Sequence, residues 1–127
     1  MASTTLKMPN IAKNAYMTWT FATQAGNQIC VTLKDSATTY VNNACRQSTT
    51  FGIIPGGQGF AQVQGTGVNL YINVPNSGAL IAVTNAFALA APDGTNVGFG
   101  YNFAIEDGSD NDFNDLYATV VAWNSQG

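Results

Sequence analysis

Residues 106–115 read Glu106, Asp107, Gly108, Ser109, Asp110, Asn111, Asp112, Phe113, Asn114, Asp115, and they hold five of the chain's seven carboxylates. Lys and Arg number four in all, none of them beyond Arg46, so no sequence neighbour neutralises the run. Like charges this dense, folded into one loop, raise one another's pKa or cost stability. A hard divalent cation removes that penalty, since calcium takes about six to eight oxygens from carboxylates, amides and carbonyls. Gly108 and Ser109 suit a sharp turn, and Asn114 adds an amide oxygen. These residue types imply a calcium loop.

The spacing narrows the type of loop. Counted from Asp110, an EF-hand would accept Asp110, Asp112 and Asn114, but it needs Gly where Asp115 stands and Glu where Val121 stands. Glycine-rich calcium repeats are excluded because the motif occurs once. The donors exceed what one ion needs, so two neighbouring calcium ions sharing Asp110, Asp112 or Asp115 is the economical expectation. The competing reading is a solvated acidic loop. Such runs are usually uninterrupted and disordered, whereas Phe113 interrupts this one and an apolar run follows it.

The elements that must hold this loop are strands. At 127 residues the chain is expected to form one domain over 1–127. Apolar residues make up 46% and charged residues 9%, with Gly, Asn, Thr and Ser filling much of the rest, which suits a packed β protein. Residues 15–21 alternate with Met17, Trp19 and Phe21 on one face, and residues 23–27 are expected to turn the chain. Ile29, Val31 and Leu33 would then form a hairpin partner. Residues 38–41, 49–54 and 60–64 are shorter candidates, and Val68, Leu70, Ile72 and Val74 give the cleanest alternation. Residues 79–91 tolerate helix by their Ala content, yet Ile81, Val83, Phe87 and Leu89 share one strand face before the turn at Pro92, Asp93 and Gly94. Val97 to Ile105 alternate up to the acidic loop, and residues 116–123 leave it. The expectation is an all-β, antiparallel β-sandwich, Greek-key-like, of about nine strands. The apolar stripes are assigned to the core; Tyr117 and Trp123 are assigned to buried packing, with a subunit interface as the alternative.

Several function classes drop out. A sequence pI near 4.3 and net charge of −3 exclude the basic footprint of a nucleic-acid binder. The chain has no His, hence neither the commonest general base nor the commonest transition-metal ligand. Paired carboxylates can hydrolyse glycosides, but these are committed to metal rather than poised in an apolar pocket, so no catalytic residues and no enzyme are expected. Cys30 and Cys45 flank an expected hairpin, and both a disulfide and a reduced pair fit. A bridge closing such a loop would contribute roughly 3 kcal/mol in the loop-entropy picture. The N-terminal residues lack the apolar segment of a conventional signal peptide, and residues 79–91 are too short to span a bilayer. Cytoplasmic synthesis without membrane insertion is the expectation, with release to the outside by another route left open.

The ten residues of the acidic run, followed by an apolar strand, Trp123 and a terminal Gly127, resemble the two-calcium fucose- and mannose-binding bacterial lectins of the LecB type. In that family the loop reads Glu-Asp-Gly, a small residue, then Asp-x-Asp-aromatic-Asn-Asp, a match continuous over the whole run. The resemblance is concentrated in residues 97–127. It implies that Glu106, Asp110, Asp112, Asn114 and Asp115 ligate metal, with Asp110 also near the sugar, and that Asp107 accepts a sugar hydrogen bond. It further implies a calcium ligand at Thr23, where the family has Asn, and a tuning of sugar preference by Gln24, Ala25 and Gly26. The carboxylate of Gly127 would complete a partner subunit's calcium site in a homodimer or higher homo-oligomer, although Asn124, Ser125 and Gln126 replace the family's shorter Pro-containing end.

Three functions of different class follow. The first is a calcium-dependent lectin for monosaccharides or glycan ends. The second is a structural or adhesive module whose calcium braces the loop. The third, and weakest, is a hydrolase.

Overall fold

The computed structural model describes residues 1–108 and 112–124. Seven strands run in chain order: β1 (Ala2–Lys7), β2 (Tyr16–Lys34), β3 (Thr39–Gln62), β4 (Asn69–Val74), β5 (Ile81–Ala90), β6 (Asn96–Glu106) and β7 (Leu116–Trp123). All pairings are antiparallel, in the order β1-β4-β2-β7-β6-β5, with β3 on the other side of β2.

Two long strands organise this sheet. Residues 16–23 of β2 pair with β7, and residues 30–34 pair with β4, while β3 follows β2 along its whole length. Between those halves the β2–β3 register shifts repeatedly, around Ala22, Ala25 and Ile29. Each irregularity bends the strand and tightens its twist, so the hairpin folds over and its two halves face each other. On β3 the fold passes through Gly56, at φ 78°, and Gly57, where a Cβ would stand 2.8 Å from the Ile54 carbonyl oxygen. Any side chain at residue 57 would push the backbones apart there.

The core lies between the two halves. Met17, Trp19 and Phe21 from the first half of β2 meet Ile29, Val31 and Leu33 from the second, with Leu70 and Ile72 of β4 and Tyr101, Phe103 and Ile105 of β6. Alternation with period two puts these on one face. Burying each large side chain contributes about 1.5–3 kcal/mol relative to exposure, and truncating Phe21 to Ala would cost roughly 3–5 kcal/mol. Directly opposed Cys30 and Cys45 join as a disulfide with Cα atoms 4.0 Å apart.

The strand count is therefore seven rather than nine. Residues 23–27 do not turn the chain: the expected first hairpin is one bent strand, and the three short candidates between 38 and 64 merge into β3. Bulges and glycines imitate turn chemistry because both interrupt alternation. Strand β1, rich in Ser and Thr, had no alternation strong enough to announce it and is fixed by pairing with β4. Tyr117 and Trp123 are not core residues. They stand 39% and 41% exposed on the outer face of the sheet, because the inner face of β7 is filled by Leu116, Ala118, Val120 and Ala122.

Candidate metal centre

The acidic run is the connection between β6 and β7, anchored where Ile105 pairs with Leu116 and where the Asp115 amide donates to the Ile105 carbonyl at 3.2 Å. Strand β7 lies beside β2 with Leu116 opposite Thr23, and the Gln24 amide donates to the Asp115 carbonyl at 3.2 Å. Two segments about eighty residues apart thus meet at one end of the sheet, and the Asn27 side-chain amide donates to Asp107 Oδ2 at 3.2 Å. The bend in β2 produces this meeting.

Within the connection, one carboxylate oxygen each from Glu106, Asp112 and Asp115 lies within 4.8 Å of the other two. Glu106 is 2% exposed and Asp115 9% exposed, whereas Asp112 is open to solvent. The Glu106 carboxylate accepts from the amides of Gly108 at 2.9 Å and Phe113 at 3.1 Å. Phe113 reaches it with a left-handed backbone, φ 52°. For a bulky residue this conformation costs on the order of 1–3 kcal/mol. Asp115 accepts from the Asp107 amide at 2.9 Å, and Asp112 from the Asn114 amide at 3.4 Å. Burial pushes the Asp115 carboxyl above its ordinary pKa. The Asp107 amide bond and Glu106 oppose that rise, while the Asp107 carboxylate adds to it. Hard oxygen donors converging in this way, two of them out of water, suit a calcium-sized cation.

The other expected site residues fall into three groups. Asn114 is half-buried within the loop, and Asp107 stands beside it with its carbonyl held by the Ser77 hydroxyl at 2.7 Å. Gln24 and Gly26 are exposed, and a Cβ on Gly26 would meet nothing within 4 Å; Ala25 turns its methyl into the core. Thr23 is fully buried, and its carbonyl and hydroxyl accept from Arg46 Nη1 at 2.9 and 3.2 Å. Its pairing with Leu116 brings Thr23 close to the end of the loop. Asp110 and Gly127 lie outside the described residues.

Sequence reasoning missed Arg46, Ser77 and Asn27. Arg46 also donates to the Thr50 carbonyl at 2.8 Å and lies across Gly52, where a Cβ would crowd its guanidinium. Only the pairing of β2 with β3 puts it there, so local sequence carried no signal. Ser77, buried at 6% exposure, lies thirty residues from the loop that it holds. Asn27 directly follows the expected Thr23–Gly26 stretch and was the one of the three within reach.

No protein-family model matches this chain, and no curated protein is a significant match by sequence. Solved structures do match. The high-affinity mannose-binding lectin of Ralstonia solanacearum superposes with a TM-score of 0.68 at 18% identity, covering 97% of this chain and 96% of that one. The C-terminal domain of the BC2L-C lectin from Burkholderia cenocepacia gives 0.65 at 13% identity over 96% and 100%. The Chromobacterium violaceum lectin CV2L, solved in complex with alpha-methyl-fucoside, gives 0.64 at 13% identity over 97% and 96%. From end to end, this chain has the fold of those bacterial lectins.

Proposed function

We propose that this protein is a calcium-dependent carbohydrate-binding protein, a lectin whose paired calcium ions take hydroxyls of fucose- or mannose-type sugars. The observation that carries the reading is the convergence of Glu106, Asp112 and Asp115 within 4.8 Å, in a fold shared with sugar-binding lectins. Glu106, Asp112 and Asp115 would hold the metal with Asn114, joined by Asp110. Bound calcium supplies coordination positions at which vicinal hydroxyls can replace water.

The chain's own groups do the rest. Gly108 and Phe113 amides fix both oxygens of the Glu106 carboxylate, so its geometry is set before any ligand arrives. Asp107, steadied by Asn27 and Ser77, stands at the edge of the cluster as a hydrogen-bond acceptor for a sugar hydroxyl. Gln24 and Gly26 present exposed groups beside it, and Ala25 contributes backbone alone. No bond is made or broken in this account, so the protein binds and does not catalyse.

The test is retention on mannose- and fucose-agarose. Retention with calcium and release by a chelator is expected. Passage through both resins with calcium present, or retention indifferent to the chelator, would overturn the reading.

A further inference from the structure

The ladder between β2 and β3 is interrupted twice in succession beside the acidic loop. Thr23 opposes Gly52 and Ala25 opposes Ser48, so residues 49–51 of β3 face Gln24 alone. Ile29 then opposes Arg46, so residues 26–28 of β2 face Gln47 alone. Extra residues in one strand lose their ladder partners, and backbone groups left in this way need others. Two consecutive side chains of β3 supply them. The Arg46 guanidinium lies across Gly52, and its Nη1 donates to the Thr23 carbonyl at 2.9 Å and the Thr50 carbonyl at 2.8 Å, with the Thr23 hydroxyl 3.2 Å away. The Gln47 side-chain amide donates to the Gly26 carbonyl at 2.8 Å. One step beyond Arg46 the Cys30–Cys45 disulfide closes the ladder again, and a covalent bond there keeps β3 from slipping along β2.

These bonds hold residues 23–26 at both ends. Between them Ala25 is buried in the core, while Gln24 and Gly26 are exposed. The same segment runs beside the β6–β7 connection: the Gln24 amide donates to the Asp115 carbonyl, and Asn27, the next residue, donates to Asp107. Arg46 is half-buried and Gln47 exposed. A single bond from an exposed side chain adds little to global stability, but it sets which way one carbonyl points. A bulged segment released at either end would sample several arrangements. A ligand that fits one arrangement then binds more weakly, in proportion to the fraction of the time that arrangement is populated.

We infer that Arg46 and Gln47 are positioning residues for the sugar site, bracing residues 23–26 in the one arrangement that meets the ligand. The role of that segment rests on the sugar-binding reading; the brace itself does not. Three variants test it. Gln47→Met keeps the side chain's length and removes the donor, and Gln47→Lys restores a donor. Gly52→Ala leaves Arg46 in place but sets a methyl group where the guanidinium lies, and the end of a flexible side chain can move aside at little cost elsewhere. Calorimetry of the full chain with calcium and either methyl α-fucoside or methyl α-mannoside is expected to show affinity about three- to tenfold weaker in Gln47→Met and in Gly52→Ala. Gln47→Met should keep the wild-type calcium affinity and melting temperature, and Gln47→Lys should recover most of the sugar affinity. Amide hydrogen exchange in calcium-free, sugar-free protein reads the brace alone. Residues 24–27 are expected to exchange about three- to tenfold faster in Gln47→Met and Gly52→Ala, while β6 keeps its wild-type rates. Unchanged exchange over residues 24–27 would overturn the brace. Faster exchange with unchanged affinity for both sugars would overturn the positioning role and leave the sugar-binding reading standing. Sugar affinity that falls in Gln47→Met only in step with calcium affinity would do the same. A wild type that binds neither sugar would overturn the sugar-binding reading and the positioning role with it, and the brace would stand or fall on the exchange rates.

Discussion

Around Asp35 the chain supplies four donors to one carboxylate: the amides of Ala37 and Thr38 to one oxygen, the Tyr40 hydroxyl and the Gly65 amide to the other. The β6–β7 connection also supplies backbone amides to its carboxylates, but it turns three of them toward each other. The two sites titrate accordingly. Burial alone would raise the Asp35 carboxyl, but the hydrogen bonds from Tyr40 and the three amides outweigh it and leave the pKa below its ordinary 3.8. Burial raises Asp115, and the neighbouring Asp107 carboxylate adds to that rise. A carboxylate already saturated by its own chain is a finished structural node. Carboxylates that face carboxylates lack a positive charge, and that difference separates a turn from a candidate metal site.

The comparison can be broken most forcefully with calcium itself. A ligand that binds only the folded state stabilises by RT ln(1 + [L]/Kd), roughly 4 kcal/mol at about 1,000 Kd, or on the order of 10 °C or more in a domain of this size. Thermal melts with excess calcium and with chelator should differ by that much in the wild type and in Asp35→Ala, but not in Asp112→Ala. Asp107→Ala should keep most of the calcium effect and lose sugar affinity instead. Loss of both in Asp107→Ala, followed by calorimetry with calcium and then with sugar, would show that the two aspartates share one role.

Next in size is Asp35→Ala, which leaves four donors without their acceptor. A cost of about 2–3 kcal/mol, the same with and without calcium, is expected in urea unfolding, since water reaches part of the site. A calcium-dependent cost would link the two acidic regions and blur the contrast.

Smaller still are the pH effects of the Asp35–Tyr40 pair. Asp35 has a lowered folded pKa, so its stabilisation is full above about pH 4 and is lost as pH falls through the folded value. Burial first, and then the bond to Asp35, raise Tyr40 to about 12. Its stabilisation is therefore full below about pH 10 and is lost as pH rises toward about 12. Tyr40→Phe keeps the ring packed against Trp19, with centroids 5.8 Å apart in the wild type. It should cost about 1 kcal/mol at neutral pH and erase the alkaline limb. An unchanged alkaline limb would contradict this assignment.

The smallest effect expected is Gly26→Ala. The added methyl enters open space, so stability should stay within about 0.5 kcal/mol while the ratio of fucose to mannose affinity shifts. An unchanged ratio would remove Gly26 from the sugar-facing surface.

Much of this was legible in the sequence, for reasons specific to each region. Val68, Leu70, Ile72 and Val74 announced β4 because both copies of the period-two pattern, apolar and polar, were intact, and the four are buried. The acidic loop announced itself by charge density that no local cation relieves. What stayed hidden depended on long-range pairing. Bulges in β2 and Pro55-Gly56-Gly57 in β3 resemble turns in one dimension, and only their mutual pairing shows that they bend a continuous ladder. Ile81, Val83, Phe87 and Leu89 alternate as well as any core strand, yet their register sets them opposite the β6 positions that alternate with core residues Tyr101, Phe103 and Ile105, so they face outward. Alternation says that a strand has two unlike faces. It does not say which face is covered.

The central claim, that residues 106–115 form a calcium site, is tested most directly by calorimetric titration of calcium into chelator-treated protein. Saturable binding at two ions per chain, abolished in Asp112→Ala and unchanged in Asp35→Ala, is the result this account predicts. An absence of saturable binding in the wild type, or equal binding by wild type and Asp112→Ala, would contradict it.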